Sequence, residues 1–114
     1  MNAGSLTKAQ RREVRRLAGS AYKRELSAAA AALEEKFNRW RRGELDVFAL
    51  NEQIHKYHDG VSRDLYQRYV LGEPQWAVAD AVRRGILQEQ EVVPEIMSCL
   101  GGLIEFFKTT EAGE

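Results

Sequence analysis

The chain has 114 residues, of which 17 are Lys or Arg, 17 are Asp or Glu, 2 are Pro and 1 is Cys. That length suits one domain, and 44% hydrophobic content at a net charge of +0 separates the chain from highly charged disordered sequences. A single Cys excludes an internal disulfide and points to a reducing, cytoplasmic setting; no apolar run reaches the roughly 18–20 residues of a membrane span, and the polar then basic start lacks the apolar stretch of a secretory signal.

The predicted fold is all-α, a single helical domain over 1–114 with flexible ends at 1–7 and 109–114. Thr7 and Gln10 have the spacing of a capping box, so a first helix starts near Lys8. No Pro interrupts it before Arg42, and Gly19 is its one internal weak point. Val14, Leu17 or Ala18, Ala21 or Tyr22, Leu26, Ala29, Leu33, Phe37 and Trp40 follow one another by threes and fours, as an apolar stripe requires. Gly43 stands where a left-handed C′ residue would end the helix. About 35 residues make a rod of roughly 50 Å, longer than a compact domain of this size is wide. The rod must therefore protrude, bend near Gly19 or lie against another chain. Residues 8–25 are the segment expected to protrude. Ala28 to Ala32 remove side-chain bulk, which either reflects helix propensity alone or admits a close helix–helix contact.

A second helical unit is expected from about Asp46 to Leu71, antiparallel to the end of the first. Asp46 is a good N-cap, with Leu45 and Leu50 at the positions of a hydrophobic staple. Leu50, Ile54, Tyr57, Val61, Leu65 and Tyr69 keep helical phase across Asp59-Gly60, which favours one continuous or slightly kinked helix. After Gly72-Glu73-Pro74, a third helix would turn Trp76, Ala79 and Val82 inward and end at Gly85. Pro94 opens a fourth, with Ile96, Leu100, Leu103, Ile104 and Phe107 in phase. Gly101-Gly102 would weaken this helix or admit another backbone. Both short helices are expected to pack on the hairpin formed by the first two.

The zero net charge conceals an asymmetry. Residues 1–24 carry +6, residues 25–42 carry +1, residues 43–73 carry −3 and residues 74–114 carry −4. Lys8, Arg12, Arg15 and Lys23 fall near one helix face, flanked by Arg11 and Arg16. They suit phosphate contact on nucleic acid, contact with an acidic protein surface, or pairing with acidic residues of 89–95 and 105–114.

Candidate chemistry is confined to one polar cluster. On an ideal α-helix His55, Asp59 and Ser62 share a face, with His58 about 60° away. His55, His58 and Asp59 could act as metal ligands or as an acid–base pair with its orienting group. The structural alternative pairs His55 with Asp59 and packs His58 in the fold. Cys99, set between Ile96 and Leu100, reads as a small apolar residue, and Tyr57, Tyr66, Tyr69 and Trp76 read as core or, alternatively, as the lining of a ligand groove. The sequence has no Gly-rich phosphate loop, dinucleotide fingerprint or Gly-x-Ser-x-Gly elbow, so no cofactor is expected.

The stretch Glu52-Gln53-Ile54-His55-Lys56-Tyr57-His58-Asp59-Gly60, followed by Arg63, Asp64, Leu65, Tyr66 and Tyr69, resembles small bacterial all-helical proteins with an Ile-His-x-aromatic-His-acid-Gly segment. The resemblance continues from Gly85 to Ile96 and covers about half the chain. It implies a bacterial, cytoplasmic origin and a helical fold. It supplies no catalytic residues, because that group has no assigned activity.

The function expected from these features is non-enzymatic: a homodimer formed through the long helix, with a protein of acidic surface as a further partner. Its contact residues would be Arg12, Val14, Arg15, Leu17, Ala21, Ala28, Ala29 and Ala32. The alternatives are a metal-dependent or acid–base module at His55, His58, Asp59 and Ser62, and nucleic-acid binding by the basic segment. No membrane partner is expected.

Overall fold

The computed structural model describes residues 6–112. Helix α1, Lys8–Arg41, starts at the expected box: the Gln10 N–H donates to Thr7 Oγ1 (3.1 Å) and the Thr7 N–H donates to Gln10 Oε1 (2.9 Å). It runs through Gly19 without a break. At its end the Glu44 N–H donates to the Arg39 carbonyl (2.9 Å) and the Gly43 N–H to that of Trp40 (3.0 Å), with Gly43 at φ +78°. This is a Schellman closure, and its left-handed residue explains the glycine. The same closure recurs at Gly85, also at φ +78°, where the Ile86 N–H donates to the Ala81 carbonyl (2.9 Å).

Helix α2, Val47–Lys56, is capped by Asp46, whose Oδ1 accepts from the Ala49 N–H (2.8 Å). The chain then continues as one rod through a π-helical segment Tyr57–Ser62, the short α3, Arg63–Tyr66, and a second π-helical segment Gln67–Leu71. The apolar spacing explains the wide turns. From Leu50 to Tyr69 the stripe advances by nearly 3.8 residues per turn, and a straight α-helix would carry Tyr69 roughly 100° out of line. The two π-helical segments absorb that drift and leave Leu50, Leu65 and Tyr69 all buried.

Helix α4, Pro74–Arg83, and helix α5, Pro94–Ala112, complete the fold, joined through Leu87 and a short 3₁₀ turn Glu89–Glu91. Helix α4 is the centre of the core. Ala77, Val78, Ala79, Ala81 and Val82 are all buried, with α1 against one side and α5 against another. Leu6, Val14, Leu17, Ala18 and Ala21 belong to the same cluster, as do Leu87, Val92, Ile96, Leu100 and Ile104. Cys99 packs against it, half-buried, as a small apolar residue would.

Several expectations are corrected. Helix α4 packs on the first half of α1 and on the second π-helical segment, as expected of the hairpin, while α5 packs on α4. The expected arm at 8–25 is therefore the best-buried part of α1, and Val14, Leu17 and Ala21 face their own chain. Their stripe found its cover in α4, some sixty residues downstream, which local periodicity does not reveal. Leu6 is buried and Thr7 caps α1, so these two are fixed; residues 1–5 lie outside the described residues. Helix α5 extends to Ala112 through the expected tail, and residues 113 and 114 are also outside the described residues. Trp76 and Tyr66 are exposed rather than inward, and no other atom lies within 4 Å of a Cβ added at Gly101 or Gly102, so no backbone crosses there.

The rod does outgrow its body, at the other end. The molecule measures 56 × 33 × 24 Å, with a radius of gyration of 17.4 Å against about 13 Å for a compact chain of this length. What projects is a two-helix hairpin built from the second half of α1 and the rod that begins at α2.

Candidate functional site

The projecting hairpin is the least covered part of the molecule. Between residues 26 and 64, Leu50 is the one buried side chain among the described residues. Leu26, Ala29, Leu33, Phe37, Ile54 and Tyr57 are half-buried, because two helices alone can cover only one side of each other. Trp40, Val47 and Val61 are exposed, and Phe48 near the tip is 81% exposed. An open groove of about 350 Å³ runs between the helices, lined by Ala29, Ala32, Leu33, Gln53, Tyr57 and Val61. Ala28 lies on the exposed side of α1. The three alanines expected to form a contact are therefore accessible, and Val14, Leu17 and Ala21 are not.

An ionic joint holds the base of this hairpin to the body. Glu25 on α1 receives two hydrogen bonds from Arg84, Nη1 to Oε1 and Nη2 to Oε2, each 2.9 Å. Tyr69 donates its hydroxyl to the same carboxylate, and Arg68 stands 3.5 Å away. Arg84 also donates through Nε to Asp80 (2.8 Å), which in turn accepts from Arg83 (2.7 Å). The Glu25 side chain is only 14% exposed. Hydrogen bonding by Arg84 holds its carboxyl below the usual range against the opposing effect of burial, and Tyr69 adds to the lowering. Burial and the neighbouring carboxylate push the Tyr69 phenol up. Its ring stacks on Tyr22 with centroids 5.4 Å apart. One carboxylate thus ties α1, the second rod and α4 together. Partners 44 and 59 residues apart leave no short-range sequence signal, so sequence reasoning missed this joint.

The polar cluster does not assemble as expected. His58 Nδ1 lies 3.2 Å from Asp59 Oδ1, with side chains 82% and 70% exposed, so the neighbour of Asp59 is His58 rather than His55. His55 is exposed, Ser62 is half-buried, and His58 is not packed in the fold. His58 and Asp59 are adjacent in the chain and both exposed, so their contact is a local one at the surface of the first π-helical segment. No group of three His, Cys, Asp or Glu among the described residues is placed to hold a metal ion. No helix among them is long and apolar enough to cross a membrane.

Part of the basic segment is neutralised within the chain. Arg24 donates to Glu91 through Nη2 (2.5 Å) and Nη1 (2.9 Å), and to the Ile86 carbonyl (2.8 Å). These bonds from Arg24, with one from the Gln88 N–H, hold the Glu91 carboxyl down to about 2. Arg16 pairs with Glu13 (2.7 Å) and Arg11 donates to the Leu6 carbonyl (2.5 Å). Arg12 and Arg15 remain exposed on the outer side of α1. A surface aromatic group joins Trp76 of α4 to Phe106 and Phe107 of α5, with centroids 5.7–6.2 Å apart. In comparisons with known proteins, no family model, no curated protein and no solved structure matches this chain.

Proposed function

We propose that this chain is a non-enzymatic interaction protein that self-associates by laying its hairpin against the hairpin of a second copy. The observation that carries the reading is the hairpin's single buried side chain, Leu50, among the described residues of 26–64. A pair of helices leaves the outer flank of its apolar seam in water, whereas four helices enclose it. Residues 26–41 extend about 24 Å, and two helix widths add about 20 Å, for a face of roughly 500 Å² in projection. Side-chain relief brings that to the scale of an interface burying about 800 Å² per partner. Charge does not oppose the pairing, since residues 26–64 hold seven acids and six bases. The small side chains of Ala28, Ala29 and Ala32 would let the helices approach closely.

Sedimentation equilibrium tests the reading. The expected species has twice the 13.0 kDa chain mass, and Ala32→Arg or Val61→Glu reduces it to the single-chain mass with the helical circular dichroism signal retained. A 13.0 kDa species at every concentration, or a dimer indifferent to both substitutions, would overturn it.

A further inference from the structure

The outer face of the first half of α1 has a feature that hairpin pairing does not use. Successive residues of an α-helix turn by about 100°, which places Lys8, Arg12, Arg15, Gly19 and Lys23 within about 80° of arc. That arc lies opposite the face formed by Val14, Leu17, Ala18 and Ala21, which are buried in the core. All four cations are exposed, and none has an ion-pair partner among the described residues, while Arg16, Arg24, Arg42, Arg68 and Arg84 each have one. The stripe is about 22 Å long on a helix whose other side is fixed by packing. Glu13 and Glu91 are engaged by Arg16 and Arg24, and Glu73 borders a cleft of about 180 Å³ with Arg11 and Arg15.

Gly19 sharpens the case. It is exposed midway along the stripe, and a Cβ added there would meet nothing within 4 Å. A glycine inside a helix is destabilising relative to alanine, and nothing in this chain's own packing requires one here. The bare backbone leaves a flat place between Arg15 and Lys23 where an outside surface can come close.

We propose that this face binds the phosphate backbone of double-stranded nucleic acid. A straight row of unpaired cations on a rigid helix suits a linear polyanion. The face has no apolar side chain to enter a membrane, which disfavours a lipid surface. It also has no aromatic to stack on bases, because Tyr22 is occupied by Tyr69; this favours a duplex over a single strand. The contact is with phosphates, so it is independent of base sequence.

Fluorescence anisotropy of the full chain with a labelled DNA duplex of arbitrary sequence, titrated across salt concentrations, tests the proposal. Four phosphate contacts predict a slope of log K against log salt of about −3.6. Arg12→Glu combined with Arg15→Glu should lower affinity at least tenfold at low salt and roughly halve the slope. Thermal melting and solution mass should stay unchanged, which separates this site from the hairpin contact. Gly19→Gln should raise the melting temperature while weakening binding. Absence of binding at low salt, binding unaffected by the double variant, a preference for single strands, or binding confined to phosphatidylserine vesicles would overturn the proposal. Unchanged affinity in Gly19→Gln would overturn the close approach at that residue.

Discussion

Replacing Leu17 by Ala separates the two roles that the first half of α1 could have. Leu17 is 1% exposed and belongs to the single apolar cluster that joins α1 to α4 and α5. The substitution removes three buried carbon atoms, with a transfer contribution of about 2–2.5 kcal/mol. A cavity contribution adds to it, and relaxation here is restricted: Ala18, Ala21, Ala77, Ala79 and Ala81 have no side chain long enough to fill the void. We therefore expect a loss of about 3–4 kcal/mol, or roughly 12–16 °C in melting temperature for a domain of this size. Urea unfolding followed by circular dichroism at two protein concentrations would measure it. The loss should be the same at both, and the exposed Ala32→Arg, compared at a concentration where each protein is monomeric, should stay within about 0.5 kcal/mol of the parent. A Leu17→Ala protein that loses less than about 1 kcal/mol yet sediments at half the parent mass would mean that Leu17 faces a second chain, refuting the core assignment.

Two further outcomes follow from the joint and the turn. The Glu25 carboxyl titrates lower in the folded chain than its ordinary 4.5, so its contribution to stability is complete above about that pH and is lost as pH falls through the folded value. Glu25→Gln should cost about 2 kcal/mol at neutral pH and flatten the loss of stability below pH 4.5; urea titrations at pH 7, 5 and 3.5 check this, and an unaltered acid profile would refute it. A Cβ at Gly72 would lie 2.6 Å from the Arg68 carbonyl oxygen, a backbone atom with little room to yield. Gly72→Ala should therefore cost about 1–3 kcal/mol, while Gly101→Ala, in open space inside α5, should add about 0.5–1 kcal/mol; thermal melts of the pair would show a neutral Gly72→Ala if the steric argument fails.

Much of the fold was readable because its punctuation is local. Thr7 with Gln10, Asp46, Gly43 and Gly85 act within a few residues of themselves, and each sits where a cap or a left-handed turn requires it. Which face met which was not readable. The Val14–Leu17–Ala21 stripe declares that it must be covered, but its cover is α4, and nothing in the spacing of one helix encodes the position of another. The length of the first helix left protrusion, a bend near Gly19 or a second chain open; the part that projects is its second half and not residues 8–25. Seven bases in residues 1–24 suggested a solvated arm, whereas only the outer half of that helix is solvated. The His58–Asp59 contact joins adjacent, exposed side chains, a pairing that helical face periodicity does not rank. The Glu25 joint draws its side chains from three elements, and such a convergence exists only after folding.

Helix α1 is a single uninterrupted unit of 34 residues shared by the body and the hairpin. Starting a helix is improbable, with a statistical weight near 10⁻³, whereas lengthening one through alanine is nearly free or favourable. Once the body has ordered residues 8–25, the alanine run carries the same coil outward without a second initiation. The distal hairpin is thereby grown from its root, like a mast stepped in a hull, and an insertion that breaks the coil at Ala30 would cut it adrift while leaving the hull sound.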